Sequence, residues 1–145
     1  MSAFGSSVAC GGRFLLSLIF VMSGVHKIMA WDQTATQMEG EGMPAVPLLL
    51  VGAIAFELLG GLSVMLGVKA RIGAVALFLF LIPTTLIFHD FWTYEGQEQQ
   101  MQMINFMKNL AIMGGLLVVA ARGPGGCCLL DGGSTSRRPT DESPG

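Results

Sequence analysis

The sequence predicts an all-α integral membrane four-helix bundle with both termini cytoplasmic. Three observations carry that expectation. Of 145 residues, 52% are hydrophobic and only 12% charged, with a mean hydropathy of +0.61, whereas soluble domains carry about 25% charged residues. Four apolar segments, 13–29, 46–68, 71–88 and 104–121, each approach the roughly 20 helical residues that cross a hydrocarbon core. The cations are one-sided: Arg13, Lys69, Arg71, Arg122, Arg137 and Arg138 fall at one end of a four-span arrangement, and only Lys27 and Lys108 at the other. The positive-inside rule then places the first end, and both termini, in the cytoplasm. The outer loops hold Asp32, Glu39, Glu41, Asp90, Glu95 and Glu98.

Residues 1–12 are expected as an N-terminal cytoplasmic segment. The apolar run 14–25 behind Arg13 has the length of a signal-peptide core. However, its basic start is weak, no small-residue cleavage site follows, and it continues into Lys27 and Trp31, so it reads as the first span. Ser7-Val8-Ala9-Cys10 loosely matches a lipoprotein cleavage site but has no apolar core before it. Residues 30–45 read as an outer connection, Lys69-Ala70 as a tight turn and 89–103 as a second outer loop. Arg122-Gly123-Pro124-Gly125 stops the fourth span. The membrane domain is expected over 13–131, with a Gly/Ser/Pro-rich, disordered cytoplasmic tail over 132–145.

The net charge of −2 argues against a nucleic-acid partner, which needs a basic surface. The three cysteines lack metal-ligand spacing, and no metal site is expected. Cys127 and Cys128 are expected as reduced thiols, since the cytosol is reducing and neighbouring cysteines pair poorly. No dinucleotide, Walker or haem-attachment motif is present, and no Ser/His/Asp grouping.

Glu57 is the informative residue. A carboxyl at mid-membrane is costly unless protonated, paired or facing a wet cavity, which makes it a functional-site candidate. Ala53, Glu57, Gly60, Gly61 and Val64 share one helix face, and small residues mark where another helix packs closely. Glu57 is therefore expected to point into the bundle, either holding helices together or handling a proton or ligand. Arg13, Ser17, Phe20, Gly24 and Lys27 form a matching face on the first span. The plain expectation is that Arg13 and Lys27 snorkel to the headgroups. The alternative turns Lys27 inward as the counter-charge of Glu57, although helical rise sets it two to three turns nearer the outer surface. Lys108, in an Asn105–Lys108–Asn109 stripe, is the other candidate counter-charge. His89, beside Asp90, can relay a proton or hydrogen-bond a carbonyl. Phe91, Trp92 and Tyr94 read as an interfacial belt. Leu58-Leu59-Gly60-Gly61-Leu62 and Ile112-Met113-Gly114-Gly115-Leu116 hint at a parallel two-helix repeat in which Glu57 aligns with Ala111.

Taken in order, Arg13-Phe14-Leu15-Leu16, Ser23-Gly24, Lys27, Glu57-Leu58-Leu59-Gly60-Gly61, Leu66-Gly67, Lys69-Ala70-Arg71, His89-Asp90-Phe91-Trp92, Lys108-Asn109-Leu110-Ala111 and Gly123-Pro124-Gly125 resemble the DoxX family of small four-helix membrane proteins, over about residues 11–131. The resemblance implies a prokaryotic plasma-membrane protein. Some relatives are similar to the small subunit of a thiosulfate:quinone oxidoreductase, and others are linked to redox-stress complexes. Where relatives often carry Ser-Leu-Asp after Gly-Pro-Gly, this chain has Cys127-Cys128-Leu129-Leu130-Asp131.

The expected function is an accessory or quinone-interacting subunit of a membrane redox system. Glu57 would be the buried acid, with Lys27, His89, Lys108 and Asn109 as ligand-binding groups. No covalent cofactor is implied, and a quinone or a redox protein partner would carry the electrons. Two alternatives stay open: a small proton-coupled carrier, which would need a homodimer for its pathway, and a non-catalytic assembly partner.

Overall fold

The computed structural model describes residues 3–125. The chain runs α1 (Ala3–Met29), α2 (Trp31–Gly40), α3 (Val46–Leu66), α4 (Ala70–Phe88), a 3-10 turn (Phe91–Thr93) and α5 (Gly96–Arg122), with no strand among the described residues. Four of these helices, α1, α3, α4 and α5, are long and apolar enough to cross a membrane. Their packing is sequential: α1 lies on α3, α3 on α4 and α4 on α5, while α1 and α5 touch more sparingly. Cys127, Cys128 and the tail 132–145, including Arg137 and Arg138, lie outside the described residues.

The expected faces pack as the helical period dictates. On α1, Arg13, Ser17, Phe20 and Gly24 are buried; on α3, Glu57, Gly60, Gly61 and Val64 are buried. Phe20 and Val64 join Leu77 and Leu81 of α4 and Met113, Leu116 and Val119 of α5 in one core. The glycines set the spacing. A Cβ on Gly60 would fall 2.8 Å from Leu77 Cγ, and one on Gly61 would fall 3.2 Å from Phe20 Cβ. The second Gly-Gly pair is used differently: Gly115 faces Leu16, while Gly114 faces open space. α3 ends where Gly67 adopts a left-handed φ of 78°, a conformation that glycine reaches without a side-chain clash.

Three boundaries differ from expectation. α1 begins at Ala3 rather than at 13, and α5 begins at Gly96 rather than at 104. Hydropathy marks where a span leaves the hydrocarbon, not where helical hydrogen bonding stops. The Gln, Glu and Met residues at 97–103 are good helix formers that carry α5 beyond its apolar part. The third difference is α2, which occupies most of the expected connection 30–45. Trp31, Ala35 and Met38 recur at i, i+4 and i+7, and that stripe packs on Val46, Leu50, Ile54 and Phe88. Arg13 also departs from the snorkelling expectation. It is 4% exposed, and its guanidinium donates to the Pro124 carbonyl, tying α1 to the end of α5.

Overpacking a tight contact costs about 1–3 kcal/mol. Gly60→Val should therefore lower the midpoint of thermal unfolding in detergent, whereas Gly114→Val, which meets open space, should leave it nearly unchanged.

Candidate functional site

Glu57 lies mid-helix in α3 with only 5% of its surface exposed. Its counter-charge is Lys27 of α1, whose Nζ is 2.9 Å from both carboxylate oxygens. Ser23, one turn before Lys27, donates to Glu57 Oε1 at 3.1 Å and accepts from Lys27 Nζ at 2.7 Å. Three polar groups thus close a ring inside an apolar bundle. Lys27 turns inward and does not snorkel. α1 ends just past it, and α2 then crosses the N-terminal half of α3, so the end of α1 lies level with the middle of α3. That placement removes the expected gap of two to three turns.

Above this ring lies a cavity of about 550 Å³. Ser23, Lys27 and Glu57 form its polar patch. Phe56 and Phe80, stacked at 6.0 Å between ring centroids, form part of its wall. Thr34, Gln37 and Met38 of α2 also line it, as do Met43 and, on α4, Pro83 and Thr84. Pro83 removes one backbone donor from α4, and Thr84 Oγ1 donates to the Phe80 carbonyl at 2.8 Å. Gly52 borders the cavity, and a Cβ there would meet nothing within 4 Å.

His89 and Asn109 also reach this cavity. Asn109 Nδ2 donates to Thr85 Oγ1 at 3.0 Å, and His89 Nδ1 is 2.9 Å from Gln102 Oε1. Asp90 instead accepts from Thr93 at the 3-10 turn, so His89 and Asp90 do not act as a pair. Lys108 is not brought to the site. It is exposed on α5, and the ion pair of Glu57 is made by Lys27. The polar stripe therefore splits, Asn109 facing inward and Lys108 outward. Beyond the spans, the Tyr94 phenol titrates above its ordinary value, first through desolvation and then through the carboxylates of Glu41, Asp90 and Glu98.

Ser23, Thr85 and the cavity-facing residues of α2 were not singled out as site residues from sequence. Ser23 carried a usable signal, because a hydroxyl at i−4 from an inward lysine shares its face. Thr85 carried none.

This geometry defines a four-span membrane protein with a buried ion pair at the foot of a mostly apolar cavity. The DoxX family model matches residues 8–90, more than half of the chain, and the chain belongs to that family. It is 33% identical over 117 residues to inner membrane protein YphA of Escherichia coli (strain K12), covering 81% of this chain and 84% of that protein. It is 37% identical over 113 residues to inner membrane protein YqjF of the same organism, covering 78% and 82%. No solved structure matches. The protein is an integral inner (plasma) membrane protein in contact with the lipid bilayer.

Removing one member of a buried pair leaves an uncompensated charge, at a cost of about 3–5 kcal/mol. The two members are unequal here. Lys27 is 23% exposed and Glu57 only 6% by side chain, so a lone Lys27 can extend outward while a lone Glu57 cannot. Lys27→Met should lower thermal stability in detergent more than Glu57→Gln, and the double variant should recover most of the loss. Losses that simply add in the double variant would contradict direct pairing.

Proposed function

We propose that this protein is a quinone-interacting accessory subunit of a membrane redox system, with both termini in the cytoplasm. The observation that carries the proposal is the Lys27–Glu57–Ser23 ring opening into an apolar cavity of about 550 Å³. Ligand pockets combine mostly apolar walls with a few convergent polar groups, and this cavity has that form. Its walls suit a flat apolar ring. Lys27, Asn109 and His89 are hydrogen-bonding groups within reach of carbonyl oxygens, so the residues present fit a quinone headgroup. The one-sided cations support the orientation.

A bound quinone supplies the electron-accepting chemistry that no side chain here can provide. The chain's own residues bind and orient. Lys27 borders the cavity while holding Glu57 and Ser23, and the Asn109 amide is steadied by Thr85. Glu57 Oε1 takes hydrogen bonds from both Ser23 and Lys27, whereas Oε2 takes one from Lys27 alone. Oε2 is therefore the atom with room to hold a proton at the cavity edge.

The test is to purify the protein gently from its native membrane and to extract and quantify bound quinone. Wild type should retain it, and Glu57→Gln should lower retention by about tenfold, equivalent to one lost charge-assisted hydrogen bond. Gly52→Leu should fill the cavity and displace the quinone while leaving thermal stability intact, because open space receives the new side chain. No quinone in wild type, or equal amounts in all three proteins, would overturn the proposal.

A further inference from the structure

The lipid-facing side of α3 and α4 holds two depressions, of about 620 and 640 Å³. Phe56, Ile72 and Ala76 border both, so the two lie side by side across one ridge. Each has one cation at the same end of the bundle: Arg71 borders the first and Lys69 the second. Beyond those cations the walls are almost wholly apolar. Lys69 and Arg71 are exposed and flank the start of α4, with Ile72 just beyond them.

Lys69, Arg71 and Arg122 are exposed at this end, whereas every described acid other than Glu57 lies on α2, in the loops at the opposite end or at the start of α5. No ion pair is made by Lys69 or Arg71 among the described residues. Basic clusters beside spanning helices attract anionic headgroups by about 1 kcal/mol per cation near the surface. Paired apolar depressions running from such a cluster match a two-chain lipid.

We infer that this face binds one anionic phospholipid, its phosphate held between Lys69 and Arg71 and its two acyl chains lying in the depressions on either side of Ile72. The site is separate from the cavity at Glu57 and shares only Phe56 and Phe80 with its lining. Ala76 is the small residue that keeps both depressions open. Arg122 is exposed at the same end but borders neither depression, so it serves as the control cation.

The experiment is native mass spectrometry of the full chain released from nanodiscs of mixed phosphatidylglycerol and phosphatidylcholine. Wild type should retain phosphatidylglycerol in preference, as one lipid per chain. Lys69→Gln and Arg71→Gln should each lower that preference about fivefold, the factor for one lost surface cation, and Arg122→Gln should not. Ala76→Phe should displace the lipid with all the cations in place, and its unfolding midpoint in phosphatidylcholine alone reports whether the fold is kept. Absence of preference in wild type, an equal loss in Arg122→Gln, or full retention in a folded Ala76→Phe would overturn the inference. So would a stable two-chain complex carrying no lipid, which would mean that the face is covered by a second copy.

Discussion

The bundle is organised around one buried ion pair. An ionised carboxylate at mid-helix in an apolar span is costly without a partner, and Lys27 meets both oxygens of Glu57 at 2.9 Å. That requirement fixes more than two side chains. It sets the axial offset of α1 against α3, holding the end of α1 level with the centre of α3. The offset leaves the N-terminal turns of α3 uncovered by α1, and α2 fills that height with Trp31, Ala35 and Met38. The cavity exists because α2 covers the bundle without filling it.

Close approach on the other faces makes the pair affordable in structural terms. Gly60 and Gly61 let Leu77 and Phe20 press against α3, so the helices pack closely on the turn beyond Glu57. Buried pairs are weak sources of net stability, because desolvation offsets most of the Coulomb gain. The pair is better understood as a constraint on register, with stability coming from the packing of Leu50, Leu77, Leu116 and Val64. The same pair then supplies the polar patch of an otherwise apolar cavity.

Much of this was legible in the sequence because the helical period and the membrane each impose a simple rule. The four spans, the buried face of α3 and the matching face of α1 follow from i, i+3, i+4 spacing and from hydropathy. The counter-charge was not decided by either rule. Lys27 and Lys108 were both candidates, and only the tertiary packing, which turns Lys27 inward and Lys108 outward, separates them. α2 itself was hidden because hydropathy averages over its polar face, although its three-residue apolar stripe was present. Arg13 was misjudged because snorkelling is the usual fate of a terminal cation, and its acceptor, the Pro124 carbonyl, lies far away in sequence. Thr85 could not be found at all, since a lone threonine in an apolar helix looks like any other packed residue.

The central claim is that Lys27 and Glu57 are in direct contact within the bilayer. The most direct measurement is a solid-state NMR dipolar recoupling experiment on the protein in lipid bilayers, with 15N in the lysine Nζ and 13C in the glutamate Cδ. The ion pair predicts a strong short-range coupling for one lysine, lost in Glu57→Gln and kept in Lys108→Gln. No coupling, or a coupling that disappears with Lys108 rather than with Lys27, would contradict the arrangement on which the fold and the site both rest.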